Sequence, residues 1–261
     1  MGGMTRLELH AYDIVGIRAP NGGPYTLSGT NSWILGRDPA WIVDPGPAIE
    51  VHVDALSAEL ARRGGLAGIA LTHGHIDHAE AAPTLRRRFP GALLAAAQAD
   101  ADAELSDGTT IGPLTALRTP GHTRDHIAFV FGEVGLTGDA VLGRGSVFIY
   151  PDEGALAGYL EALARLRDLR LSLLCPGHGP VVRDPAGKLS EYIAHRLDRE
   201  RRVVVALAAG ARTVQEMLDD VWADAPAALR PAAVVTLAAH LDKLEDEGRL
   251  PDGVQRPPRW Q

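Results

Sequence analysis

His73-Gly74-His75-Ile76-Asp77-His78 places three imidazoles and one carboxylate within six residues. His73 and His75 are two apart, so in extended backbone both side chains leave the same face. Asp77 and His78 follow where the chain would turn into a helix, aimed at a second point nearby. Imidazole and carboxylate are the ligands that Zn²⁺ and similar divalent ions take when no thiolate is offered. A polar surface turn is the plain alternative for the hexapeptide taken alone.

Three further segments weaken that alternative. Thr119-Pro120-Gly121-His122-Thr123, Thr137-Gly138-Asp139 and Pro176-Gly177-His178-Gly179 each carry one more His or Asp in a turn-prone setting. Each follows a short apolar stretch, at 114–117, 134–136 and 171–175, as the hexapeptide follows 69–71. All the candidate ligands therefore sit where a strand runs out into a loop, the usual place for a rigid scaffold to present catalytic groups.

The series His73-x-His75-x-Asp77-His78, then His122, Asp139 and His178, resembles the metallo-β-lactamase fold superfamily over about residues 7–185. The resemblance implies an α+β chain built as a four-layer αβ/βα sandwich with a metal site at one edge. It implies two divalent ions, expected to be zinc. His73, His75 and His122 would hold one, Asp77, His78 and His178 the other, and Asp139 would bridge them; Asp77 and Asp139 are the candidate catalytic residues. Seven ligands are too many for one zinc, which usually takes about four. Two ions roughly 3.5–4 Å apart share a hydroxide and leave no need for a Ser or Cys nucleophile.

Composition agrees with an enzyme that has a large core: 261 residues, 46% hydrophobic, formal net charge −7. No run of about 18 apolar residues is present and the start of the chain lacks a basic-then-apolar signal pattern. Cys175 is the only cysteine, so no intramolecular disulfide forms, and its apolar neighbours mark it as a core thiol. These features lead us to expect a cytoplasmic location and no membrane partner.

Residues 7–18, 32–36 and 41–44 alternate like strands, and 127–131 is strongly strand-like. Helical spacing covers 49–63, 78–89 and 153–169. From about residue 185 the pattern turns all-helical. Residues 188–209 are apolar-periodic; Thr213 with Glu216 forms a capping-box pattern before 214–222; Pro231 opens 232–247 and Gly248 stops it. Arg249-Leu250-Pro251-Asp252-Gly253-Val254 would be the turn of a small wing. The expected division is a catalytic domain at 1–185 and a helical, winged-helix-like domain at 186–261. That layout is similar to the LACTB-two-like hydrolases, some of which act on single-stranded RNA. β-Lactamases proper generally lack a counterpart of Asp139, so the resemblance disfavours antibiotic hydrolysis.

The expected function is hydrolysis by metal-bound hydroxide of an ester, thioester, lactone or phosphodiester. The alternative is a single-strand endoribonuclease of the LACTB-two-like type. From another class, the alternative is a nucleic-acid-binding regulator with structural metals. The expected partner is a small-molecule substrate or single-stranded RNA. Duplex DNA is not expected. Residues 188–261 hold 11 Lys/Arg against 12 Asp/Glu, and the third helix of this region ends in Glu245-Asp246-Glu247. Arg196, Arg199, Arg201 and Arg202 are the counter-signal, either a grip on a short single strand or partners for Asp198 and Glu200.

Other residues leave two readings each. Asp44, in an Asp-Pro-Gly turn, either forms the turn or supports the metal loop. His126 either orients a ligand or donates to a substrate oxyanion, or packs at a strand start. Asn31 and Tyr150 are candidates for the cleft wall. The glycine-rich stretch 22–29 is either a cover for the site or a plain surface loop. Arg86 to Arg88 read as a solvated helix face.

Overall fold

The computed structural model describes residues 5–258. Its first half builds a seven-stranded sheet in simple sequence order. β1 (Thr5–Leu9), β2 (Ile14–Arg18), β3 (Asn31–Leu35) and β4 (Ala40–Val43) pair antiparallel in turn. The expected single run at 7–18 is thus a hairpin; a 3-10 turn at His10–Tyr12 ends on Asp13, whose φ of 51° reverses the chain. Helix α1 (Glu50–Arg62) then crosses over to β5 (Leu66–Ala70), which lies parallel to β4. After β5 the expected helix at 78–89 is two helices, α2 (Ile76–Ala79) and α3 (Ala82–Arg88). Pro83 explains the break: it has no N–H to donate, and its ring would strike the carbonyl of Ala79 in a continuous helix. β6 (Leu93–Ala96) and β7 (Ala103–Glu104) complete the sheet in parallel.

The second sheet has five strands. β8 (Thr110–Ile111), β9 (Leu114–Arg118), β10 (Ile127–Phe131) and β11 (Val134–Gly138) form an antiparallel meander. Helix α4 (Ala155–Asp168) leads to β12 (Leu173–Pro176), parallel to β11. Strand alternation sorts the apolar residues into layers. Trp33, Leu35 and Val43 of the first sheet meet Phe129, Leu136 and Cys175 of the second in the central core. Ile34, Ile42 and Ile69 face outward to Val53, Leu56 and Leu60 of α1 and Leu85 of α3. Leu174 and Ala128 face outward to Leu156, Tyr159 and Leu163 of α4. The result is the four-layer αβ/βα sandwich, with both sheets ending on one edge.

Three helices follow: α5 (Pro185–Ala208), α6 (Val214–Val221) and α7 (Arg230–Asp246). α6 begins on the capping box: Thr213 accepts from the N–H of Glu216, and Glu216 accepts from the N–H of Thr213. α5 serves two cores. Its Leu189 and Tyr192 pack with α4, and its Val203 and Leu207 pack with Met217, Val221, Leu237 and Leu241. The turn at 249–254 contributes Leu250 and Val254 to that helical cluster, but no strand forms there. No helix among the described residues is long and apolar enough to cross a membrane.

Candidate metal centre

Four loops leave the ends of β5, β9, β11 and β12 and meet at one edge of the sandwich, carrying the hexapeptide, His122, Asp139 and His178. All seven of these residues come together. His73 Nε2 lies 2.9 Å from His75 Nδ1, which lies 3.0 Å from His122 Nε2. His178 Nε2 lies 3.3 Å from both His78 Nε2 and Asp77 Oδ2, and 3.4 Å from Asp139 Oδ1. His78 Nε2 is 3.6 Å from Asp77 Oδ2 and 3.5 Å from Asp139 Oδ1. The two oxygens of Asp139 divide between the groups: Oδ1 faces His78 and His178, while Oδ2 lies 3.5 Å from His122 Nε2.

The donor set fits divalent cations. A tetrahedral ion with nitrogen ligands at about 2.0–2.1 Å spaces those ligands about 3.3–3.4 Å apart, close to the separations here. The outer nitrogens are taken up. His78 Nδ1 donates to Asp44 Oδ2 at 2.8 Å and His73 Nδ1 to Thr72 Oγ1 at 2.9 Å. His122 Nδ1 and His178 Nδ1 donate to the carbonyls of Phe148 and Gly29, each at 3.4 Å. Four inner nitrogens are thereby turned into the cluster, the usual arrangement of ligating histidines and their outer partners. Asp139 Oδ1 is buried and accepts no hydrogen bond.

Electrostatics point the same way. Burial pushes the imidazoles of His73 and His122 down, His122 to about 4, so they offer lone pairs at neutral pH. Burial also acts against charge on His178, yet Asp139 and Asp77 outweigh it and raise this group to about 10. At Asp139 burial is outweighed by His178 and His78, and the carboxyl is held well below its ordinary range. The carboxylates thus draw positive charge, whether proton or metal ion, onto the inner nitrogens.

Local backbone explains why the loops approach so closely. A Cβ on Gly138 would stand 2.4 Å from Thr72 Oγ1, and one on Gly177 would stand 2.7 Å from Asp139 Oδ1. Asp44 is buried with φ of 52° and accepts from Thr72 N, Thr72 Oγ1 and His78 Nδ1, tying the turn after β4 to the hexapeptide. The N–H of Asp139 donates to His126 Nε2 at 3.1 Å, so His126 Nδ1 carries the proton given to Thr119 Oγ1 at 2.7 Å. His126 is fully buried, holds the Asp139 loop through this bond and is not among the residues that line the cleft. Asn31 is also buried, and its amide holds the carbonyls of Pro176 and Gly179. Tyr150 lines the cleft, as do Tyr25, Thr26 and Leu27 of the glycine-rich loop. Arg88 is not simply solvated: it ties α3 to Asp54 and Ser57 of α1. Cys175 is free and buried, and burial pushes its thiol far up.

Sequence reasoning missed several residues here. Thr30 Oγ1 donates to Asp77 Oδ2 at 3.2 Å, and Asn21 holds Thr30 from behind. Phe148 stacks edge-on to His122 at 4.8 Å between ring centres and also meets Tyr25 and Tyr150. The only signal for Phe148 was its place two residues before Tyr150, itself a candidate for the cleft wall.

The metallo-beta-lactamase superfamily pattern matches residues 25–103 and 93–178, and the beta-lactamase associated winged helix domain matches 213–255. A beta-lactamase-like protein 2 homolog of Caenorhabditis elegans is 32% identical over 253 residues, 87% of this chain and 82% of its own. An atrochrysone carboxyl ACP thioesterase of Aspergillus chevalieri is 32% identical over 232 residues, 82% of this chain and 74% of its own. The crystal structure of a beta-lactamase domain protein from Burkholderia ambifaria superposes with a TM-score of 0.78 at 23% identity, covering 98% of this chain and 93% of that one.

Proposed function

Because this chain belongs to the metallo-beta-lactamase superfamily, with its associated winged helix domain, and is a metal-dependent hydrolase, we propose that it uses two zinc ions to hydrolyse a carboxylic ester or thioester. The observation that carries this reading is Asp139, whose two oxygens face two separate ligand groups. His73, His75 and His122 would hold one ion and Asp77, His78 and His178 the other, with Asp139 between them. When bound, the ions supply an activated water and positive charge for the oxygen of the developing tetrahedral centre.

The protein's own groups do the rest. Buried Asp44, Thr72 and His126 fix the rings and the Asp139 loop before substrate arrives, which lowers reorganisation during the reaction. Asp77 is half-buried and lines the cleft, where its carboxylate would take the proton of the attacking water. Phe148 and Tyr25 shield the His122 side from solvent. We assign catalysis to residues 1–185 and a cleft-forming role to residues 186–261, with α5 shared between them.

A regulator with structural metals fits less well, because structural zinc sites are closed and four-coordinate, whereas this cluster opens on a cleft. A phosphodiester substrate has one supporting feature, the exposed Arg144 at the cleft, which forms no ion pair among the described residues. The four-arginine signal on α5 does not add to it. Arg201 pairs with Asp198, Arg202 holds the carbonyl of Asp220, and Arg196 and Arg199 are engaged within the fold. Glu200 pairs with Lys243 and Arg249 instead. The test is turnover by zinc-loaded protein of a panel comprising acyl thioesters, lactones, single-stranded RNA and a chromogenic β-lactam. Thioester turnover abolished by chelation is expected; cleavage of RNA alone would replace this reading with the nuclease one.

A further inference from the structure

The cleft does not stop at the ligand cluster. Its volume is about 700 Å³, within the range of roughly 300–1,000 Å³ typical of small-molecule sites. The cleft lined by His122, Asp139 and Phe148 is lined as well by Trp222 just after α6, Leu229 of the 3-10 turn at Ala227–Leu229, and Ala232 and Val235 of α7. Trp222 and Val235 are buried, while Leu229 and Ala232 are half-buried, so this part of the cleft offers an apolar face.

The arginines beside this face are engaged, although Nε of Arg196 is buried without a partner. Arg196 donates to Ser146 Oγ at 2.8 Å and to the carbonyl of Val147. Arg199 makes a two-pronged pair with Asp224 at 2.8 and 2.7 Å and also holds the carbonyl of Val221. A phosphate at Arg199 would have to break its pair with Asp224 and lie beside that carboxylate. An apolar group meets no such cost and gains from leaving water. The mouth differs: Arg144 and Gly145 are exposed and leave room for a polar carrier or leaving group.

We propose that residues of the C-terminal helices form an acyl-binding arm, and that the substrate is the ester or thioester of an apolar acid. Its carbonyl lies at the ligand cluster, its hydrocarbon part runs past Phe148 to Trp222, Leu229, Ala232 and Val235, and its leaving group projects at the Arg144 mouth. The proposal rests on the ester or thioester reading above and names the substrate class of that site. Trp222, Leu229, Ala232 and Val235 are then specificity-determining residues.

The test reads binding as well as turnover. Full-length, zinc-loaded protein is titrated calorimetrically with butyrate, hexanoate, octanoate and decanoate. Each methylene that enters the arm should tighten binding about four-fold, or about 250-fold from butyrate to octanoate. Leu229→Trp and Ala232→Phe fill the arm from half-buried positions. Each should cut the octanoate-to-butyrate affinity ratio at least ten-fold, and the octanoyl-to-acetyl ratio of thioester kcat/KM with it. A wild-type affinity that does not change with chain length overturns the proposal, as does an unchanged ratio in folded variants. Displacement of octanoate by submicromolar single-stranded RNA also overturns it. Chain-length-dependent binding without ester or thioester turnover would leave the arm standing and reject the hydrolytic reading; turnover indifferent to chain length would do the reverse.

Discussion

Asp139 has the most to do of any residue in this chain. Its carboxylate lies between two groups of nitrogen donors, and its N–H is held by His126. Asp139→Asn keeps the shape but removes the charge. We expect elemental analysis to show loss of about one ion per chain, and turnover to fall by more than the roughly 10–100-fold typical of a lost outer partner. Near-wild-type metal content and rate would show that Asp139 is no bridge. Asp44→Asn, one layer out, should weaken metal binding by about 10–100-fold with the fold intact, read by chelator competition. The seven candidate ligands were legible because each is a His or Asp in a turn-prone stretch after an apolar run. Thr30, Thr72 and Phe148 were not, because their roles depend on which strand ends meet across the two sheets. Asp44 and His126 stayed ambiguous for the same reason: a turn-former and a ligand support look alike until the neighbouring loop is placed.

At the scale of elements, two local devices fix how helices start and dock. The capping box satisfies the first N–H groups of α6, so Thr213→Ala should cost about 1 kcal/mol in denaturant unfolding, with little change in metal affinity. At the end of α1, Glu59 is enclosed by Arg63 at 2.8 Å and Arg6 at 2.7 Å, with Arg62 beside it; Arg63 also holds the carbonyls of Asp13 and Gly36. This joins α1 to the β1–β2 hairpin. Burial opposes charge on Glu59, but Arg6, Arg63 and Arg62 outweigh it and lower the group from 4.5 to about 2. A depressed carboxylate stabilises the fold above its unfolded pKa and loses that contribution as pH falls through the folded value. Glu59→Gln should therefore cost roughly 2 kcal/mol at pH 7, the scale of a charge-assisted hydrogen bond, and the gap to wild type should close between about pH 4.5 and 2. A gap that persists at pH 2 would assign the loss to packing. Strong period-2 and helical patterns made β3, β4, β10, α1 and α4 readable. β6 to β8 escaped because their residues are Ala-rich or the strands only two residues long. The α2–α3 break was legible at Pro83, where loss of the N–H should have outweighed the apolar spacing.

Across the whole molecule, α5 joins the sandwich to the C-terminal helices through one continuous rod, with Leu189 and Tyr192 in one core and Val203 and Leu207 in the other. Ala239 of α7 also reaches the α4 side. We expect metal-loaded protein to unfold in a single thermal transition seen alike by far-UV circular dichroism and tryptophan fluorescence; two separated steps would mean that the shared helix does not couple the cores. The sequence suggested this arrangement only as a boundary near residue 185, because periodicity marks where a helix lies and not which cores it enters. The central claim, that two ions held by seven side chains make this fold a hydrolase, is tested most directly by adding zinc in steps to metal-free protein while ester turnover and bound zinc are measured together. Turnover should rise to its maximum as bound zinc approaches two per chain, and His178→Ala should reach a ceiling near one ion with little turnover. Full turnover in the rigorously metal-free protein, or in His178→Ala at a single bound ion, would contradict it.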